Sequence, residues 1–289
     1  MTRITNNILV NNMKRHLQNN MSDLDEINQK LSSGKQFQHP SEAPIKTARS
    51  MEYDSLINTN KQYKDNLNQA QNWLKSTETA LKDGGKVLQR VRELAIHGAN
   101  GSLTQTDQKN IATEVKQLKD ELINIGNTKL ADRYIFSGQK TATAAFDQNG
   151  NYQGDQNQIQ REINKGVNLA ININGKDAFK GAIDTIDDLI NDLNSGNTGD
   201  VSDRIGDLDQ GLNNITSLRA NVGAKINRMD MSKNRLEEEI ISLKQLQSTN
   251  EDVDIAKVIT DLKMEESVYR ASLAAGARSI QPSLVDFLR

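Results

Sequence analysis

The sequence predicts a mainly α-helical fold: a long antiparallel helical bundle or coiled coil, its amino- and carboxyl-terminal helices paired, with a small β-rich insertion. Three observations carry this prediction. Apolar residues recur at spacings of three and four over most of the 289 residues, whereas strict alternation is confined to a stretch near 137–176. Core material is thin, 35% hydrophobic and 4% aromatic residues against 26% charged ones, which suits narrow helical layers better than a thick globular core. The chain has three prolines, and two of them, Pro40 and Pro44, share one connector.

The first element is a seam, Val10, Met13, Leu17, Asn20, Leu24, Ile27 and Leu31, running along one face of a helix. A lone amphipathic helix of this length is marginal in water, because nucleation is costly and packing supplies most helical stability. A matching pattern occupies residues 252–280, with Ile255, Val258, Ile259, Leu262, Val268, Leu273 and Ile280, then Pro282 and the apolar tail Leu284, Val285, Phe287 and Leu288. The two ends are expected to pair, with the chain between them folded as a long hairpin. Asn20 is polar within its seam. Such a residue fixes register and partner at some cost in stability, and a half-exposed position explains it equally well.

Gly34 is suited to end the first helix, and Pro40 and Pro44 forbid its continuation, so residues 31–44 form an ordered connector with Pro44 placed to open the next helix. That helix is expected over Ile45–His97, with the heptad phase Leu67, Ala70, Leu74, Thr77, Leu81, Gly84, Leu88, Val91 and Ala95. Gly84 and Gly85 inside it mark either a soft point or a close helix contact. Gly98–Ser102 stops it, and Thr104 or Thr106 can cap a third helix carrying Ile111, Val115, Leu118, Leu122 and Ile125. Phe146 and Tyr152 then flank an Asn149–Gly150 turn, while Gln158–Ile163 and the alternating Val167, Leu169, Ile171 and Ile173 read as strands joined at Lys165–Gly166. Helical spacing returns near Ala178 with Ile183, Ile186, Leu189, Ile190 and Leu193, breaks at Ser195–Gly199, and resumes over about Ser202–Leu246. Three domains are expected: 1–44 with 251–289, 45–136 with 177–250, and the insertion 137–176.

Chemistry is sparse. The 36 Lys plus Arg nearly balance 38 Asp plus Glu, without a long basic block, so neither nucleic acid nor an acidic membrane is the expected partner. There is no cysteine, which excludes disulfides and thiol chemistry. The start of the chain lacks the apolar core of a secretory signal and no window reaches the length of a membrane span, so the protein is expected either to stay inside or to leave by another route. His16, His39 and His97 lie far apart, the sequence around Gly84–Lys86 lacks phosphate-loop spacing, and Asp147, Asn149 and Asn151 fit a hairpin turn better than a calcium loop. The acidic residues Asp184, Asp187, Asp188, Asp192 and Glu237–Glu239 read as solvated helix faces. No catalytic, metal or cofactor residues are assigned, and an enzyme is the poorest reading. The residues assigned a role are an assembly interface: Val10, Met13, Leu17, Asn20, Leu24, Ile27, Leu31, Ile255, Ile259, Leu262, Leu273, Leu284, Phe287 and Leu288.

Several segments resemble the flagellin superfamily of bacterial flagellar axial proteins. Leu31-Ser32-Ser33-Gly34-Lys35 is similar to the turn after flagellin's terminal helix, and Leu88-Gln89-Arg90-Val91-Arg92-Glu93-Leu94-Ala95 to a stretch of its long helix. Gln38–Ile45, Arg133–Gly138 and Gln281–Leu288 resemble the corresponding segments of the hook-associated protein three family. The resemblance implies terminal helices forming an inner tube, a helical bundle forming an outer one and an insertion projecting outward. It also implies a ring at the hook–filament junction, touching a FlgK-like first hook-associated protein and flagellin. Export would be unfolded, through the flagellar type III apparatus, with a FlgN-like chaperone holding the carboxyl-terminal helix. Flagellin itself and a secreted coiled-coil binding protein are the alternatives. The terminal helices are expected to be disordered in a monomer and to fold on assembly.

Overall fold

In the computed structural model, residues 2–280 are described, with side chains over 8–277. The chain divides into two compact units, one built from residues up to Asn58 and from Ile240 onward, the other from Thr59–Glu239. The mainly α expectation holds: α1 (Thr2–Ser33), α2 (Pro44–Gly98), α3 (Gln105–Gly126), α4 (Gly181–Ser195), α5 (Thr198–Glu251) and α6 (Ile255–Ile280) account for most residues. The described strands form two small antiparallel hairpins, β1 (Lys129–Leu130) with β2 (Arg133–Tyr134) and β3 (Gln160–Asn164) with β4 (Val167–Ala170).

The second unit is a helical bundle whose seam closes completely. Leu67, Leu74, Leu81 and Leu88, one heptad apart on α2, are each 0% exposed, and Val115, Leu122, Ile183, Ile186, Leu208, Ile215 and Val222 join them in one cluster. α5 runs antiparallel to α2 here, as Lys64–Glu237, Gln71–Asp230, Glu78–Arg219 and Arg92–Asp209 pair in reverse order along the two helices. Thr104 caps α3 in a capping box with Asp107, satisfying backbone donors at the helix start. Gly84 proves to be a close contact: α2 passes through unbroken, and a Cβ there would stand 2.6 Å from the Phe179 ring.

Aromatic side chains fasten the β segment to this bundle. Phe136 meets Phe179 edge-on at 5.1 Å between centroids, and Phe146 meets Tyr152 at 5.5 Å. The Tyr152 hydroxyl reaches the carbonyls of Phe136 (3.0 Å) and Asp155 (2.7 Å) and the Asn174 side chain, and burial pushes its pKa up to about 12. The Lys165–Gly166 turn joins β3 to β4 as expected, whereas Phe146 and Tyr152 form a single bridge rather than strands. A further hairpin begins earlier, at Lys129. Its turn residues Ala131 and Asp132 are left-handed, φ +46° and +61°, without a glycine to signal it. A π-helical turn, Lys176–Lys180, precedes α4.

In the first unit α1 and α6 pair antiparallel. Asn20 Nδ2 donates to Ser272 Oγ at 3.0 Å, and a Cβ on Gly276 would lie 3.3 Å from Met13 Cε. At its other end the pair is tied down by backbone: Lys35 bridges Asp252, Gln36 N donates to Glu251 O (2.6 Å) and Val253 N to Gly34 O (3.0 Å). Gly34 makes this turn possible, since its φ of +69° is strained for any residue with a side chain.

Candidate assembly interface

The α1 seam is in place but only half closed. Met13, Leu17, Asn20, Leu24, Ile27 and Leu31 are all partly buried, one per turn, while Val10 is exposed. α6 contributes Val258, Leu262, Tyr269, Ser272 and Gly276 as its less exposed positions. Ile255, Ile259 and Leu273 remain 46%, 45% and 45% exposed. At 100° per residue these three lie to one side of the α6 positions that are covered, so two helices alone leave them in water. Leu284, Phe287 and Leu288 lie outside the described residues.

One flank of the hairpin is grooved. Val10, Met13, Leu17, Met21 and Tyr269 line a cavity of about 230 Å³, and Met21, Leu24, Asn28 and Tyr269 continue it along α1. Tyr269 and Met21 escaped the sequence reading because neither falls on the seam. Their signal is geometric: an aromatic and a flexible thioether standing beside a half-covered stripe.

An ionic clamp holds the base of the hairpin. Lys35 Nζ lies 2.6 Å from Glu251 Oε2 and 2.9 Å from Asp252 Oδ1, while Gln36 Nε2 donates to Asp252 O. Hydrogen bonding to Glu251, opposed by burial, raises the Lys35 pKa. Burial pushes Glu251 upward, yet hydrogen bonds from Lys35 and Ser50 hold it below its ordinary value, and Ser248 and Lys35 lower Asp252. The clamp was not foreseen, because Lys35 and Glu251 are 216 residues apart and each looks like ordinary surface charge.

Such a site can bind protein helices; its chemistry is apolar contact framed by hydrogen bonds. Among the described residues no group of His, Cys, Asp or Glu is arranged to hold a metal, and no described helix is long and apolar enough to cross a membrane.

Comparison with known proteins bears out the resemblance read from the segments. The family model of the bacterial flagellin N-terminal helical region matches residues 4–141, and that of the C-terminal helical region matches 205–288. Flagellar hook-associated protein 3 of Escherichia coli (strain K12) is 23% identical over 302 residues, covering 94% of this chain and 95% of its own. Flagellin of Bacillus subtilis (strain 168) is 28% identical over 298 residues, 96% of each chain. The crystal structure of Bacillus cereus FlgL, 24% identical, superposes with a TM-score of 0.62 over 68% of this chain and 99% of its own. With both helical regions matched across more than half of its length, and with paired terminal helices at its ends, the chain belongs to the bacterial flagellin superfamily.

Proposed function

We propose that this chain is a structural axial component of the bacterial flagellum, forming the junction between hook and filament. The observation that carries the reading is the half-closed terminal hairpin, in a chain similar to hook-associated protein 3 over nearly its whole length. Copies would associate in a ring through the α1 seam and the exposed Ile255, Ile259 and Leu273, meeting the first hook-associated protein on one side and flagellin on the other. The chain would be exported unfolded, with a chaperone covering its carboxyl-terminal helix, and would carry no catalytic activity. The full-length match to Bacillus subtilis flagellin favours a second reading, a filament subunit.

Electron microscopy of cells lacking the gene, paired with an assay for flagellin in the medium, separates the two. Bare hooks with flagellin lost to the medium are expected for a junction protein, whose absence leaves exported subunits nothing to add to. Disappearance of both filament and secreted subunit would overturn the junction reading in favour of flagellin.

A further inference from the structure

The sequence carries three Asn-Gly pairs, Asn100–Gly101, Asn149–Gly150 and Asn174–Gly175, all in the bundle unit, and the fold treats them differently. Asparagine followed by glycine has an unhindered route to a succinimide, because no β-carbon shields the following amide nitrogen from the side-chain carbonyl carbon. That nitrogen must shed its proton and swing towards Cγ, so a pair whose glycine amide already donates a hydrogen bond is held back. Gly150 N donates to Asp147 O at 3.0 Å, and Gly175 N to Phe136 O at 2.9 Å. Both glycines are buried: a Cβ on Gly150 would stand 2.5 Å from Ile183 Cγ2, and one on Gly175 3.0 Å from Phe136 O. Asn174 is itself buried and its side-chain oxygen accepts the Tyr152 hydroxyl.

Asn100–Gly101, in the loop between α2 and α3, is the exception. Both residues are exposed, nothing lies within 4 Å of the place a Gly101 Cβ would take, and among the described residues Gly101 N donates to no partner. Hydrogen bonds grip the asparagine instead. Asn100 N donates to His97 O and Leu103 N to Asn100 O, each at 3.2 Å, while Ser102 N (3.2 Å) and Ser102 Oγ (2.9 Å) donate to Asn100 Oδ1. The two bonds to Oδ1 draw electron density from Cγ and favour negative charge on that oxygen. The Leu103 bond, at the long end of the ordinary range, is the one that opens when the Asn100 peptide turns. We propose that Asn100 is a self-modification site of the folded chain, converted to aspartate and isoaspartate ahead of Asn149 and Asn174. Gly101 N gives its proton to hydroxide and bonds to Asn100 Cγ; the Cγ–Nδ2 bond breaks, and Nδ2 leaves as ammonia with a proton taken from water. One water then opens the succinimide at either carbonyl. Both products place a carboxylate just after α2, where the partial negative charge of the helix end opposes it, and isoaspartate also lengthens the main chain by one methylene.

The full chain, kept folded in mildly alkaline buffer and digested at intervals, yields the conversion rate at each pair from peptide masses, with isoaspartate counted by its enzymatic methylation. Asn100 is expected to convert at least about tenfold faster than Asn149 or Asn174, whose glycine amides must first break a buried hydrogen bond. In urea the three rates should converge, with Asn149 and Asn174 accelerating the most. Gly101→Ala adds a methyl that meets nothing within 4 Å, so the fold accommodates it, yet it should slow conversion at Asn100 and leave the other two pairs unchanged. Conversion of Asn149 or Asn174 as fast as Asn100 in the folded chain overturns the proposal. The same ranking in urea also overturns it, assigning the preference to neighbouring residues rather than to the fold.

Discussion

The bundle and the terminal hairpin are written in the same sequence language, and the structure closes one while leaving the other half open. Leu67, Leu74, Leu81 and Leu88 on α2 and Met13, Leu17, Leu24 and Leu31 on α1 follow the same three- and four-residue spacing. The α2 leucines are fully buried because α3, α4, α5 and the aromatic β segment surround them. The α1 residues are partly exposed because α6 alone covers them. Periodicity therefore specifies which face of a helix will be buried; the number of neighbours decides how far burial proceeds. Within one molecule, a completed core and an incomplete one differ only in the count of partners.

The comparison breaks most readily at Leu81. Leu81→Ala removes a side chain with 0% exposure and should lower the stability of the bundle by about 2–5 kcal/mol in urea unfolding. A loss below about 1 kcal/mol would mean that the bundle core is not closed as described. Next come Tyr152→Phe and Gly84→Ala, each expected to cost about 1–3 kcal/mol. The first removes the hydroxyl that the Phe136 and Asp155 carbonyls and the Asn174 side chain share, and of these the Phe136 carbonyl keeps the Gly175 amide as a donor. The second drives a methyl to 2.6 Å from Phe179. Gly85→Ala is the sharpening control: its Cβ would sit 3.7 Å from Ile215, ordinary contact, so the helix gains about 0.8–1 kcal/mol. In thermal scans the two neighbouring substitutions should move the midpoint in opposite directions. Raising the pH supplies a further check on Tyr152, whose pKa is raised to about 12. Its contribution is complete below about pH 10, the unfolded value, and is lost as pH rises towards 12.

Leu17→Asp should do the reverse of Leu81→Ala, leaving bundle unfolding within about 0.5 kcal/mol of the parent while abolishing assembly as read by sedimentation. A large loss of bundle stability would show the hairpin seam to be part of the monomer's core. The smallest effect is expected at the clamp. Glu251 and Asp252 have folded-state pKa values lowered below their unfolded ones, so their contribution is present above about pH 4.3 and is lost as pH falls through the folded values. Lys35 is raised, so its contribution is present below about pH 10.4 and disappears as pH rises through its folded value. Glu251→Gln at neutral pH should reproduce the acid effect, with faster exchange of the Gln36 and Val253 amides relative to those of the bundle. Unchanged exchange would show that the backbone bridge holds without its charges.

Much of this architecture was readable from spacing. The α1 seam, the α2 heptad, the Thr104 cap and the Lys165–Gly166 turn all lie where residue pattern and turn chemistry put them. What escaped depends on contacts that pattern does not encode. The β1–β2 hairpin turns on Ala131 and Asp132, with no glycine to announce its left-handed backbone. The π-turn at Lys176–Lys180 precedes α4, where periodicity alone suggests a plain helix start. Asn20 could be marked as unusual, yet its partner Ser272 lies 252 residues away. On α6, apolar residues flank the covered face, so the sequence names Ile255, Ile259 and Leu273 as part of an amphipathic pattern without saying that one helix cannot cover them. The Lys35 clamp is invisible for the same reason, since only the fold brings its charges together.

Amide hydrogen exchange on dilute monomer and on assembled protein tests most directly the idea that the terminal hairpin is a core awaiting its remaining partners. Residues 5–30 should exchange fast in the monomer while the α2 amides around Leu74–Leu88 stay protected, and both should be protected after assembly. Strong protection of residues 5–30 in the dilute monomer would contradict it, because the hairpin would then be stable with no partner beyond α6.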